Sequence, residues 1–305
     1  MKIRVLGSAA GGGFPQWNCN CHNCHGVRNG SINAKPRTQS SIAVSMDDKH
    51  WLLVNTSPDI RAQLESFPAI QPKQGLRDTG IAAIMLADSQ IDHTTGLLML
   101  REGCPLPVYA TQMVQEDLSS GFPIIKILES WNGGLQLHTL NTDEQAFSIP
   151  SIEGIEFTAV PIDGKAPPYS PHRHNPHIGD NIGLFMRDLE SQECVFYAPG
   201  LAKIGSKVRS YIEQSKCVMV DGTFWQEDEM AQAGVGERLA SQMGHLPQSG
   251  DGGMIEYLQT LPESTRKILI HINNTNPILL EDSAEREQLN THNIEVAYDG
   301  MSIDV

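Results

Sequence analysis

The stretch LADSQIDHTTG, residues 86–96, decides the fold that this chain can adopt. It ends an apolar, strand-like run at residues 82–86 and opens a helical stretch predicted at residues 93–101. Polar side chains at such a junction project from the rim of a sheet, where metals and ligands commonly bind. Asp92 and His93 are neighbours, so one turn can direct both side chains at a single ion.

A second apolar run, residues 267–271, ends in a polar side chain of its own, His271. Alone, this residue is more often a structural histidine than a metal ligand. It becomes a candidate ligand if the fold brings the end of its strand beside Asp92 and His93. The sequence therefore predicts a metal centre whose ligands come from distant parts of the chain.

The rest of the chain is predicted to alternate between short strands and helices. Strand-like runs rich in Val, Ile, Phe and Tyr cover residues 3–6, 41–45, 51–55, 82–86, 136–140, 156–161, 181–187, 194–198, 217–221, 267–271 and 295–298. Helices are predicted at residues 60–66, 93–101, 111–119, 203–215, 253–261 and 281–290. Strand runs followed by strand–helix alternation, in two successive halves, favour two packed sheets covered by outer helices. We expect one domain, residues 1–305.

Composition excludes several classes of function. The chain has a net charge of −14, and it lacks the clustered Lys and Arg on which nucleic-acid binding depends. The same lack of cationic runs argues against membrane-surface binding, and no apolar stretch approaches the ~20 residues that span a bilayer. The N-terminal residues lack the apolar region of a signal peptide, so we expect a cytoplasmic protein.

Three cysteines, Cys19, Cys21 and Cys24, lie within six positions in a C-x-C-x-x-C pattern. This spacing lets one loop surround a tetrahedral ion, and thiolate ligands favour zinc. Three free thiols, or a redox pair of Cys21 and Cys24, are the alternatives. A fourth protein ligand would make the zinc site structural, and His22, His25 or a distant residue can supply it.

Three segments carry a family resemblance: FPQWNCNC at residues 14–21, DHTTGLL at 92–98 and VDGTFW at 220–225. They resemble the pyrroloquinoline quinone (PQQ) biosynthesis protein B family of the metallo-β-lactamase superfamily. A more general likeness to the phosphodiesterase and tRNA-processing branch covers essentially the whole chain. The resemblance implies an α/β protein with the metallo-β-lactamase-like four-layer αββα sandwich, and a role in PQQ synthesis.

The sequence departs from the superfamily signature, H-x-H-x-D-H, at several metal ligands. Asp88 stands at the position of the first histidine, and Gln90 at that of the second. The downstream histidine position falls near Asp163, and the bridging aspartate position falls near residues 197–198, where there is no carboxylate. A dinuclear hydrolase needs two ions, and most ligands of the first ion are absent.

Asp92 and His93 match the retained part of the signature, and His271 matches its final histidine. Two histidines and one carboxylate with open coordination positions are typical of non-haem Fe(II) oxygen chemistry. We therefore predict Fe²⁺, or another divalent metal, at these three residues.

The resemblance also assigns roles to residues around the two centres. Asp221 borders the metal site in the relatives, which indicates support of a ligand, although a turn aspartate is equally compatible. His245 matches a proton-donating histidine of the phosphodiesterases, so an acid–base role is predicted, with a loop histidine as the alternative. Relatives with the cysteine triplet carry a zinc-binding histidine where Asn274 stands, and we predict Asn274 as the fourth zinc ligand in preference to His25.

A proline- and histidine-rich loop, residues 163–179, can cover the metal centre. Its histidines His172, His174 and His177, alongside Arg173 and Lys165, are predicted to contact an acidic peptide or a tricarboxylated quinone. A solvated loop is the alternative interpretation.

Three functions from different classes follow. The first is an oxidoreductase, an iron-dependent oxygenase that hydroxylates a peptide-derived tyrosine precursor of PQQ. The second is a carrier that binds PQQ or its precursor and assists transport to the periplasm. The third is a metal-dependent hydrolase, against which the missing ligands count. The expected partner is the precursor or PQQ itself, and a homodimer is one assembly left open.

Overall fold

The computed structural model describes residues 1–73 and 75–305. Their strands, in chain order β1 to β14, are Lys2–Gly7, Ser41–Ser45, Trp51–Val54, Ile81–Met85, Leu106–Thr111, Leu135–Leu140, Phe147–Ser148, Ile155–Pro161, Ile182–Asp188, Cys194–Ala198, Cys217–Asp221, Arg266–Ile270, Ile294–Val296 and Ser302–Asp304. The α-helices, α1 to α10, are His22–Asn29, Ile60–Glu65, Ile91–Thr94, Gln112–Asp117, Ile124–Leu128, Ser206–Glu213, Glu229–Gln232, Ala240–Met243, Met254–Gln259 and Ala284–Thr291. Short 3₁₀ helices occupy Pro68–Ile70, Thr95–Gly103 and Pro277–Leu279.

The strands form two seven-stranded sheets. The first has the order β14-β1-β2-β3-β4-β5-β6, and the second has the order β13-β12-β11-β10-β9-β8-β7. In the first sheet β3 to β6 pair in parallel, and in the second β10 to β13 do. Parallel strands end at a common edge, and connections that leave this edge are the usual place for ligands.

Three apolar clusters define four layers. The central cluster joins inward side chains of both sheets, such as Val5 and Leu52 from the first and Phe157 from the second. Two outer clusters join each sheet to its own helices, such as Leu53 with Val114 and Val218 with Leu258. A sheet buried on both faces needs apolar residues at successive positions, which explains fully buried runs such as β11. The predicted αββα sandwich of the α/β class is confirmed.

The predicted strands agree with the structure to within one or two residues at each end, but β5, β7 and β14 were missed. Pro107 interrupts the apolar run of β5, and proline cannot donate to a strand ladder. It is tolerated because pairing with β4 begins only at Val108. The predicted helix at residues 93–101 is also wrong in type, since α3 ends at Thr94 and a 3₁₀ helix follows. Among the described residues, no helix combines the length and apolar composition required to cross a membrane.

Candidate metal centre

Asp92, His93 and His271 meet at the edge where the parallel strands end. Asp92 and His93 lie in α3, just beyond β4, and His271 directly follows β12. The His271 Nε2 atom lies 3.3 Å from Asp92 Oδ2, and His93 Nε2 lies 4.0 Å from the same oxygen. One possible ligand atom from each residue lies within 4.8 Å of the others. The structure thus brings together the three residues that were selected from the sequence.

The surroundings of this triad fit a cation. His93 Nε2 is buried and has no hydrogen-bond partner among the described residues, and an imidazole nitrogen in that state suits a metal ligand. A Cβ atom at Gly11 would lie 3.2 Å from Asp92 Oδ2, so a larger residue there would press on this side of the carboxylate. His271 adopts a φ of +63°, a backbone conformation that residues other than glycine rarely take. Such conformations often occur at functional sites.

Protonation of the triad also fits a cation site. Burial opposes a charge on His93, but the carboxylates of Asp88 and Asp92 outweigh it and raise its pKa to about 9. Burial likewise opposes ionisation of Asp92, but the neighbouring charges of His93 and His271 hold its pKa below the ordinary value. A divalent cation can replace the proton that His93 would otherwise hold between these carboxylates.

Two side chains fix the rings of the histidines. Both oxygens of Asp88 lie 2.8 Å from His93 Nδ1, and Thr223 Oγ1 lies 2.9 Å from His271 Nδ1. A histidine held at Nδ1 presents Nε2 to a metal in one orientation. Asp88, which the motif comparison placed at the position of a superfamily histidine, therefore supports a candidate metal ligand.

Thr223 also joins the triad to Asp221 and His245. Asp221 is fully buried, and its Oδ1 accepts a 2.6 Å hydrogen bond from Thr223 Oγ1. His245 Nδ1 lies 2.7 Å from Asp221 Oδ2. Burial would lower the pKa of His245, but the Asp221 carboxylate raises it. Asp221, His245 and His271 also have ligand atoms within 4.8 Å of one another. His245 lines the cleft, whereas Asp221 does not line it and holds the His245 ring from behind.

The three cysteines form a second centre, apart from the triad. Cys19, Cys21 and Cys24 are buried, and one sulfur from each lies within 4.8 Å of the others. The amide Nδ2 of Asn274 points at all three sulfurs, at 3.2, 3.6 and 3.3 Å. A half-turn of the amide would place its oxygen there as a fourth ligand. His25 is exposed and its Nδ1 lies 3.1 Å from Asn20 Oδ1, so the geometry favours Asn274.

Only some of the loop residues that were predicted to contact a ligand line the cleft at the metal centre. Lys165 and Arg173 line a cleft of about 270 Å³ that contains the triad. His172 is not among the lining residues; its Nε2 lies 3.1 Å from Glu116 Oε2. His174 is exposed and also lies outside the lining.

Comparison with known proteins agrees with this architecture. A model of the beta-lactamase superfamily domain matches residues 50–272. Coenzyme PQQ synthesis protein B of Stutzerimonas stutzeri is 61% identical over 99% of each chain, and that of Pseudomonas aeruginosa is 59% identical over 100% of each. The chain belongs to the coenzyme PQQ synthesis protein B family.

Solved structures place the chain in the same family. Zinc-bound PqqB from Methylobacterium extorquens is 36% identical, superposes with a TM-score of 0.89 and covers 100% of both chains. A diphosphatase of the PhnP family, 18% identical with a TM-score of 0.67 over 99% and 96% of the two chains, shares the fold. The resemblance to the coenzyme PQQ synthesis protein B family that the sequence motifs indicated is thus confirmed.

Sequence reasoning missed three features of this family member's site. Thr223 lies inside the quoted VDGTFW segment, yet its contacts become visible only when β11 and β12 lie side by side. Asp88 was noted as a lost ligand and not as a partner of His93. Arg238, which lines the cleft, lies in no motif, and no local sequence signal could have identified it.

Proposed function

We propose that this chain acts in coenzyme PQQ synthesis as a mononuclear, non-haem iron-dependent oxygenase that hydroxylates a peptide-derived tyrosine precursor. The observation that carries the proposal is the set of groups at the triad: one carboxylate and two imidazoles meet, while Asp88 and Gln90 are engaged elsewhere. Asp88 binds His93 Nδ1, and Gln90 Nε2 donates to the Lys165 carbonyl at 3.0 Å. A ligand set of this kind suits one Fe(II) ion with open positions.

Asp92, His93 and His271 would hold the metal, which supplies the activation of dioxygen when bound. One oxygen atom enters a ring C–H bond of the tyrosine and the other leaves as water, with two electrons and two protons from an external reductant. Asp88 and Thr223 keep the two imidazoles in orientation. Because these groups are buried, they restrict the access of bulk water.

His245 is the candidate acid–base group. Its Nδ1 is held by Asp221 at 2.7 Å, and its Nε2 has no hydrogen bond to a described residue. Since His245 lines the cleft, Nε2 can accept the phenol proton of a bound tyrosine and return it. Asp221 favours the protonated ring by its charge.

The cysteine centre is proposed as a structural zinc site. Three thiolates and the Asn274 oxygen would close a four-ligand shell without an open position, which suits a structural role. Cys19 to Cys24 lie in the N-terminal loop and helix α1, and Asn274 follows β12. Zinc would therefore tie the N-terminal loop to the segment that carries His271.

The test is metal reconstitution. Metal-free protein is loaded anaerobically with Fe(II), Zn(II) or Mn(II), mixed with a tyrosine-containing precursor peptide and a reductant, and exposed to oxygen while mass is followed. A gain of one oxygen atom with iron alone is expected. His93→Gln should abolish it, whereas His50→Gln, an exposed histidine paired with Asp47, should not. Unchanged substrate that stays bound would favour a carrier, and cleavage with zinc would favour a hydrolase.

A further inference from the structure

The outermost strands of the two sheets differ in length. In the described part of the chain, β14 and β6 are the edges of the first sheet, and β13 and β7 are those of the second. Strands β14 and β13 have three residues each and β7 has two, whereas β6 has six. Proteins keep edge strands from pairing with other chains by making them short, or by placing proline, charged residues or a bulge in them. Shortness protects every edge except β6.

Strand β6 also lacks the other forms of protection. Its sequence is LQLHTL, which contains no proline and no Asp, Glu, Lys or Arg. It pairs with β5 without a bulge, from Leu135 opposite Leu106 to Leu140 opposite Thr111. Its other side forms no backbone hydrogen bond with residues 1–73 or 75–305. Alternate N–H and C=O groups of β6 are therefore free to pair with a further strand.

The side chains beside this free edge are apolar. Leu135 packs into the outer cluster of the first sheet, and Thr139 accepts a 3.2 Å hydrogen bond from a side chain of α4. Because alternate residues of a strand share a face, Leu137 lies on the same, helix-covered side, and 38% of its surface is exposed. Ile127 of α5 is 44% exposed, and Trp131, between α5 and β6, is 38% exposed. An apolar surface thus borders the unpaired backbone.

The charges at this edge suit contact with an identical surface. Two copies of a chain with a net charge of −14 repel each other over most of their surfaces, and the uncharged β6 avoids that repulsion. Lys126 in α5 and Glu129 just after it are both exposed, and neither forms an ion pair with a described residue. A two-fold interface brings a surface against its own copy. A surface with one free cation and one free anion can complement itself, whereas a surface of one sign would repel itself.

We propose that β6 is a dimer interface, at which it pairs antiparallel with β6 of a second copy of this chain. The two seven-stranded first sheets then form one continuous sheet. Each face of this sheet continues across the interface only if the two-fold axis passes through a residue, because residues directly opposite each other lie on one face. An axis at Leu137 places this exposed leucine opposite its own copy, and Leu135 opposite Thr139 of the partner subunit. No residue of β6 lines the metal-centre cleft, so the inference is independent of the proposed function.

The first test is the oligomeric state of the full chain, measured by sedimentation equilibrium at increasing protein concentration. The wild type should show a monomer–dimer equilibrium. Leu137→Lys should raise the dimer Kd by about 10-fold or more, because two like charges then face each other at the axis. Its melting temperature, extrapolated to low concentration, should match that of the wild-type monomer, since the side chain is exposed. Leu189→Lys, the same change at a 47% exposed leucine after β9 of the other sheet, should leave the Kd unchanged.

The second test is disulfide cross-linking, which reports the register of the paired strands. Leu137→Cys places two thiols opposite each other at the axis, within the Cα separation of about 4.4–6.8 Å that a disulfide spans. Oxidation should therefore give a covalent dimer on a denaturing gel. In Thr139→Cys the two thiols lie about 14 Å apart along the strands, so this control should remain monomeric on the same gel. The native cysteines are buried and do not compete.

Three results would overturn the proposal. The first is a wild-type chain that stays monomeric at every concentration. The second is a dimer whose Kd is the same in the Leu137→Lys, Leu189→Lys and wild-type forms. The third is a monomeric chain in which a tyrosine-containing precursor peptide binds the wild type but not Leu137→Lys, because β6 would then pair with an extended peptide and not with a second copy. Each result leaves the metal centre and the proposed function unaffected, since Leu137→Lys should bind Fe(II) as the wild type does.

Discussion

Replacing Asp88 by Asn tests the idea that a lost ligand position now supports a metal ligand. Asp88 Oδ1 accepts a 2.9 Å hydrogen bond from the Gln90 backbone N–H, and both Asp88 oxygens face His93 Nδ1. Asparagine has nearly the same shape but only one acceptor oxygen. If that oxygen keeps the hydrogen bond from the Gln90 backbone N–H, the NH₂ group of the asparagine faces His93. The His93 Nδ1 atom must then accept a hydrogen bond instead of donating one.

The proton of the His93 ring would then move to Nε2, the nitrogen proposed to bind the metal. The alternative orientation of the amide keeps the tautomer but leaves the Gln90 N–H without its acceptor. Loss of such a supporting partner typically weakens metal binding by about 10- to 100-fold, which corresponds to about 1.4 to 2.7 kcal/mol. Asp88→Asn should therefore lower Fe(II) affinity by this factor while the fold remains intact.

The assay is a competition titration of the metal-free protein with Fe(II) against a chromogenic chelator under anaerobic conditions. Asp117→Asn is the matched control, because Asp117 is also a buried carboxylate close to this turn. It accepts hydrogen bonds from the hydroxyls of Ser89 and Ser170 and contacts no histidine of the triad. Metal affinities that fall equally in both variants, or in neither, would refute the role assigned to Asp88.

Two further predictions concern stability. Cys24→Ser should reduce the zinc content of the purified protein by about one ion per chain and lower its melting temperature, as measured by elemental analysis and calorimetry; Cys104→Ser, at a buried cysteine outside the cluster, should keep the zinc. Burial raises the pKa of Glu229 to about 7 despite hydrogen bonds from Thr275 and the Trp225 amide. Between its ordinary pKa and 7 the folded state therefore binds more protons, so the free energy of unfolding should fall by up to about 3 kcal/mol as pH rises through this range. Urea titrations should show this slope in wild type and in the exposed-site control Glu213→Gln but not in Glu229→Gln, and a slope that survives in Glu229→Gln would contradict the reasoning.

The sequence predicts well whatever depends on local pattern. Buried strands such as β2, β10 and β11 were located to the residue, because runs of β-branched and aromatic residues bounded by turn residues are a direct signal. Asp92 and His93 could be selected because they are adjacent and follow a strand. Strand β5 was missed because Pro107 argues locally against a strand. The proline is compatible with β5 only because pairing with β4 begins at Val108, which the local sequence does not show.

Contacts between distant residues could not be predicted by pattern. Thr223 and His271 are 48 positions apart, and they meet because β11 and β12 pair in parallel with Asp221 opposite Ile270. Arg238 reaches the cleft from a segment between two short helices, where no periodicity marks it. His172 lies in the loop selected from the sequence but pairs with Glu116 instead. The composition of this segment was enough to select the loop, but it could not predict which of its side chains point into the cleft.

The positions of the two replaced histidines argue against a merely decayed hydrolase site. In a site that had only lost its function, Asp88 and Gln90 would not be expected to have specific hydrogen-bond partners. A buried carboxylate without such partners would destabilise the folded protein. Asp88 is instead bonded to His93 and to the Gln90 amide, and the Gln90 side chain holds the loop that carries Lys165. One replacement thus orients a metal ligand, and the other positions a cation at the cleft. Only the Asp88 contact acts on a candidate metal ligand, and it supports a site for one ion, the kind of ligand set that suits the single-iron oxygen chemistry proposed above.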